Sequence, residues 1–126
     1  MNRSDLSENW IRRYELIQQH GDAHPDADSF LVAVEELDNL IVSDPIVALD
    51  VLKNIYLRTK DSYVLENLGA GPLETLLVAK GSEIESALDE LLLVHPSFGG
   101  SVLRHVWWDS VDQALKEKYA PFCEEG

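Results

Sequence analysis

No stretch of this chain alternates apolar and polar residues long enough to make a strand, whereas apolar side chains recur at i, i+3 and i+4 almost throughout. That spacing puts them on one face of an α-helix, so the pattern predicts an all-α fold. Leu6, Trp10, Tyr14 and Ile17 form a first stripe, with Ser4 or Ser7 as its cap and an end near His20–Gly21. Phe30, Val34, Leu37 and Ile41 form a second, widened by Leu31 and Leu40. The apolar runs at 30–34 and 91–94 fall inside these longer helical patterns.

Between helices the punctuation is specific. Gly-Asp-Ala-His-Pro-Asp-Ala-Asp, within an expected exposed linker at 20–28, holds no large apolar group. Asp44-Pro45 places a capping aspartate before a proline suited to the first helical position and opens a third helix through Ala48, Leu49, Leu52, Ile55 and Tyr56. Asp61 or Ser62 caps a brief fourth through Tyr63, Val64 and Leu68.

Residues 67 to 81 are the expected centre of the fold. Gly69 and Gly71 suggest a tight elbow, Pro72 starts a short helix whose Leu73, Leu76 and Leu77 are buried, and Gly81 stops it. Ser82-Glu83-Ile84-Glu85 then has the form of a capping box for a sixth helix carrying Ile84, Ala87, Leu88, Leu91 and Leu92. Pro96 ends it. A turn to Gly100 precedes a helix at Val102, Leu103, Val106 and Trp107. Asp109 or Ser110 caps the last, through Val111, Ala114, Leu115 and Tyr119, before a loose tail at 121–126.

The expectation is therefore one helical domain over 1–126, with about seven or eight short helices. A weak internal echo shapes its architecture. Leu37-x-x-Leu40-Ile41-Val42 is matched by Leu73-x-x-Leu76-Leu77-Val78, and Ala48-Leu49-Asp50-x-Leu52 by Ala87-Leu88-Asp89-x-Leu91. Antiparallel hairpins in a HEAT-like stack would produce such an echo, and a compact bundle is the alternative.

Composition narrows the functional classes. With 23 acidic and 10 basic residues the formal charge is −13, unfavourable for binding phosphate backbones or anionic membranes. Neither a membrane-spanning run nor the apolar core of a signal peptide is present, and Cys123 has no cysteine partner, so a cytoplasmic protein is expected.

The chemical motifs are weak. His20 and His24 are separated by Gly21 and followed by Pro25. Counted from Asp22, the calcium-loop positions for glycine and glutamate hold Ala27 and Ala33. His95 suits a helix C-terminus, and His105 lies among core-type residues. Gly69-x-Gly71 lacks the Lys-Ser/Thr ending of a phosphate loop. No catalytic residue, metal or cofactor is assigned on these grounds.

Charge distribution says more. From Tyr14 through Leu52 there is no lysine or arginine but nine acids, Glu15, Asp22, Asp26, Asp28, Glu35, Glu36, Asp38, Asp44 and Asp50. Glu35, Glu36 and Asp38 fall off the apolar stripe of their helix and should face outward. Glu83, Glu85, Asp89 and Glu90 form a second cluster. Ordinary solubilising charge would account for both. A basic protein partner would also relieve their mutual repulsion, with an aromatic anchor for which Trp108, expected to be more exposed than Trp107, is the candidate.

Leu68-Gly69-Ala70-Gly71-Pro72-Leu73-Glu74-x-Leu76-Leu77, with Ser43-Asp44-Pro45 before it and Val102-Leu103-x-x-Val106-Trp107 after it, resembles a family of small, uncharacterised bacterial helical domains. Several lineages of such small acidic proteins are immunity proteins, inhibitors of secreted or contact-delivered bacterial toxins, including those of contact-dependent growth inhibition. The resemblance implies an immunity protein that binds a basic toxin domain, such as a nuclease, and carries over no functional residue. The expected contact residues are Asp22, Asp26, Asp28, Glu35, Glu36, Asp38 and Trp108. A general protein-interaction module is the alternative, and a hydrolase using His105 or His24 a third reading. Neither nucleic acid nor membrane is an expected partner, and the oligomeric state is open.

Overall fold

The computed structural model describes residues 2–21 and 30–123, and among these every regular element is helical. Six helices pack together: α1 (Arg3–His20), α2 (Leu31–Ser43), α3 (Pro45–Arg58), α4 (Ser62–Leu68), α5 (Glu74–Val94) and, at the end, Gln113–Cys123. A single turn at Ser97–Ser101 is labelled α6, so the last helix is α7. The all-α expectation holds, with slightly fewer packed helices than expected.

The helix starts follow local chemistry. Asp44 Oδ1 accepts from the amide of Val47 at 3.3 Å with Pro45 in the first turn of α3, and Asp61 Oδ1 accepts from the amides of Tyr63 and Val64. At α1 the cap is Asn2, whose Oδ1 takes the Asp5 amide; Ser4 and Ser7 are already helical. Asn2 reaches the unsatisfied amide from outside the first turn, as a cap must. Gly21 ends α1 with φ +81°, a conformation that favours glycine.

α3 is the central rod. Ala48, Leu49, Val51, Leu52 and Ile55 are all buried, and α1, α2 and α5 all pack against this helix. Trp10 from α1, Leu37 and Ile41 from α2, and Ile84 and Leu88 from α5 join it in one hydrophobic cluster. Arg3 pairs with Asp50 at 2.9 Å, and Arg58 reaches Ser4 Oγ at 2.6 Å, so α1 is tied to two sites on α3.

The central stretch differs from the expected elbow. Residues Gly69–Leu73 continue directly from α4 into α5 as one π-helical turn, with Pro72 buried inside it. Neither glycine has positive φ. Gly69 is required by proximity: a Cβ there would lie 2.1 Å from the Val102 carbonyl oxygen and 3.0 Å from His105 Cβ. Gly71 meets nothing. The turn does touch α2, α3 and the Leu103–His105 segment, which bears out its central position.

As expected near Gly81, one helical segment ends and another begins, with the break itself at Lys80. α5 thus joins two helical segments across a kink at Lys80, with φ −136° and ψ 22°. Gly81 admits the last helix, since a Cβ would fall 2.4 Å from Leu115 Cδ1. The two segments of the expected second hairpin, Leu73–Val78 and Ala87–Leu91, lie on opposite sides of this kink.

Beyond Pro96 the chain is less regular than its apolar spacing suggests. Val102, Leu103 and Val106 are buried, but around short 3₁₀ turns at Leu103–His105 and Trp108–Ser110. Asp112 Oδ1 takes the Ala114 amide at the start of α7, in place of Asp109 or Ser110. α7 also continues through Pro121 to Cys123, with Phe122 against the core, so this part of the expected loose tail is helical.

Candidate partner-binding surface

On α2, burial of Ala33, Leu37 and Ile41 fixes the rotation of the helix and turns Glu35, Glu36 and Asp38 to solvent, as their positions imply. No ion pair involves these three among the described residues. Partial burial, and then the Glu35 charge one turn away, push the Asp38 carboxyl above its ordinary value. The face is thus an uncompensated negative surface. Asp22, Asp26 and Asp28, the other acids expected to join it, lie outside the described residues.

The second acidic cluster is largely committed to the fold. Lys118 on α7 reaches Glu85 Oε2 at 2.6 Å and Asp89 Oδ2 at 2.7 Å, and buried Tyr119 donates to Asp89 Oδ1 at 2.8 Å. Desolvation raises the Asp89 carboxyl, but hydrogen bonds from Lys118 and Tyr119 outweigh it and hold the group below the usual carboxylate range. Spacing along α5 could not reveal this, because the cation comes from a helix 29 residues further along the chain. Glu83 and Glu90 remain exposed.

The aromatic expectation is corrected. Trp108 is half-buried and packs on the core, whereas Trp107 is 67% exposed. The segment holds short 3₁₀ turns in place of the expected helix, and the exposed indole is Trp107. The Trp107 amide donates to Glu74 Oε1 at 2.8 Å, so α5 holds the backbone that presents this indole. Glu74 and Trp107 are 33 residues apart, so no local pattern in the sequence signals this bond.

The described histidines occupy unrelated places. His20 is exposed at the end of α1, His95 packs edge-on to Tyr56, and His105 backs onto Gly69. His24 lies outside the described residues. Among the described residues no group of three or more His, Cys, Asp or Glu is arranged to hold a metal ion, and no helix is long and apolar enough to cross a membrane.

These features describe an acidic, all-helical protein with an unpaired acidic face on α2 and an exposed indole at Trp107. The chain matches no protein-family model, and neither the curated proteins nor the solved structures contain a significant match to it.

Proposed function

We propose that this protein is an immunity protein of a bacterial toxin system, binding a basic toxin domain, such as a nuclease, through the outer face of α2. The observation that carries the reading is the contrast between the acid groups: Asp50, Glu85 and Asp89 have cationic partners within the fold, while Glu35, Glu36 and Asp38 have none among the described residues. Like charges held together without compensation destabilise the free protein and are relieved by a cationic surface. Such a face speeds capture of a basic protein and can occupy a groove built for phosphates. The resemblance of the Gly69–Glu74 region and the charge of −13 support the same reading. Trp107, 67% exposed, supplies an aromatic anchor on the same molecule.

The test is to identify the partner by affinity capture from the source cells and then measure association by stopped flow. Replacing Glu35, Glu36 and Asp38 with lysine should slow association at least tenfold at low ionic strength, with the difference shrinking as salt rises. Unchanged rates at low salt would remove this face from the interaction. Capture of no basic toxin domain would remove the immunity reading itself.

A further inference from the structure

α7 lies across the outer half of α5, held by one narrow stripe of side chains. Two glycines leave notches for it: a Cβ at Gly81 would meet Leu115 Cδ1, and one at Gly99 would meet the backbone carbonyl of Phe122. Between the notches Lys118 Nζ reaches Glu85 Oε2 and Asp89 Oδ2, and the buried Tyr119 hydroxyl donates to Asp89 Oδ1. Leu115, Lys118, Tyr119 and Phe122 follow one another at helical spacing, so a single side of α7 makes all these contacts.

Around that stripe the attachment is open. A groove of about 330 Å³ lies between the start of α7 and α5, with Leu77, Ser82 and Glu85 on one side and Asp112 and Ala114 on the other. The segment leading into α7 consists of short 3₁₀ turns at Leu103–His105 and Trp108–Ser110, so no full helix has to unfold for α7 to swing away. α5 also packs directly on α3, which gives it a seat in the fold independent of α7. Charge sets what such a movement changes. Among the described residues Lys118 is the cation paired with Glu85 and with Asp89, and neither acid has another.

We infer that α7 is a strap: it undocks from α5 and α6 as one unit while α3 and α5 stay folded, and in leaving it withdraws Lys118 and returns Glu85 and Asp89 to solvent as unneutralised acids. Lys118 is thus an internal cation that keeps this pair of carboxylates occupied. The strap stands or falls independently of the partner proposed above.

Native-state amide exchange on the full chain reads the opening. Amides along α7 should share one opening equilibrium, with protection at least about tenfold below that of Leu52 and Ile55 in α3. Gly99→Ala sets a methyl against the Phe122 backbone at a position without positive φ, so it should lower α7 protection by a further tenfold or so and leave α3 unchanged. Lys118→Gln alters an exposed side chain and should lower α7 protection about threefold. Carbodiimide labelling follows the acids: Gly99→Ala should raise the Asp89 rate in step with α7 exchange, while exposed Glu90 keeps its rate. Wild-type α7 amides that exchange together with α3, protection that decays residue by residue toward Cys123, or an equal loss in α3 and α7 on Gly99→Ala would each overturn the strap. Unchanged exchange in Lys118→Gln, or an Asp89 rate that ignores α7 opening, would overturn the role given to Lys118.

Discussion

Tyr119 donates a 2.8 Å hydrogen bond from its buried hydroxyl to Asp89, tying the last helix to the outer half of α5. Lys118 reaches the same carboxylate and Glu85 beside it. Removing only the hydroxyl, as in Tyr119→Phe, keeps the ring in the core and leaves Asp89 free to take water. The expected cost is about 1 kcal/mol, the net worth of a typical hydrogen bond, read as a midpoint shift in urea unfolding at unchanged slope.

The same clasp gives stability a pH dependence. Asp89 titrates below its ordinary value in the fold, so its contribution is complete above the unfolded aspartate value near 3.8 and is lost as pH falls through the lower folded value. Hydrogen bonds to Asp89 and then Glu85 raise Lys118, while burial and then Asp89 raise Tyr119. Their contributions are complete below 10.5 and 10.0 and fade as pH rises beyond those values. The difference in melting temperature between the wild type and Asp89→Asn should be constant from about pH 6 to 9 and contract at both extremes. A difference that grows as pH falls below 4 would contradict the clasp.

Asp38 carries the opposite sign. Its folded value is raised by burial and by Glu35, so ionisation weakens the fold, and protonation on acidification relieves that strain. Glu35 and Asp38 are three residues apart on α2, a like-charge spacing that costs about 0.2–0.5 kcal/mol. Asp38→Asn should therefore stabilise the free protein by about that amount at neutral pH, measured by urea unfolding. The same variant should associate more slowly with a basic partner. A gain in stability paired with a loss in binding rate is the signature of a charge kept for contact.

Two glycines in the central turn separate geometry from backbone freedom. Gly69→Ala drives a methyl against the Val102 carbonyl, where backbone and not a flexible side-chain end must yield, and should cost about 2 kcal/mol or more. Gly71→Ala meets nothing within 4 Å and has no positive φ to defend. Restricting the unfolded chain there should be neutral or stabilising by up to about 1 kcal/mol. Parallel thermal melts of the two variants decide the matter; equal losses would mean that the turn needs glycine for conformation.

Legibility followed the range of the interaction that fixes each element. Asp44-Pro45 and Asp61 set helix starts through bonds closed within three residues, and α2 shows its acidic side through burial of Leu37 and Ile41 along the same helix. All of that is written locally. Gly69 and Gly81 are equally informative residues, but they also admit Val102 and Leu115, 33 and 34 positions away, close approaches whose partners no local pattern names. Asp89 loses its place on an acidic face for the same reason, through Lys118. Trp107 and Trp108 exchange the exposures expected of them because this segment holds 3₁₀ turns in place of the helix that its apolar spacing predicts.

That tryptophan pair offers a direct measurement. Trp107 is exposed while its backbone is held by Glu74, and Trp108 packs on the core. Trp107→Ala should change stability by less than about 0.5 kcal/mol, as for a surface substitution, and should remove most of the fluorescence accessible to acrylamide. Trp108→Ala should cost about 2 kcal/mol, because packed aromatic surface is lost, and leave the accessible fraction in place. Trp10 is 1% exposed and contributes a quencher-protected background to both variants. If the partner uses the indole as an anchor, its binding should protect the accessible fraction in the wild type and lose at least tenfold in affinity on Trp107→Ala. Protection that persists in Trp107→Ala would assign the contact to Trp108 and require the 103–110 segment to rearrange on binding.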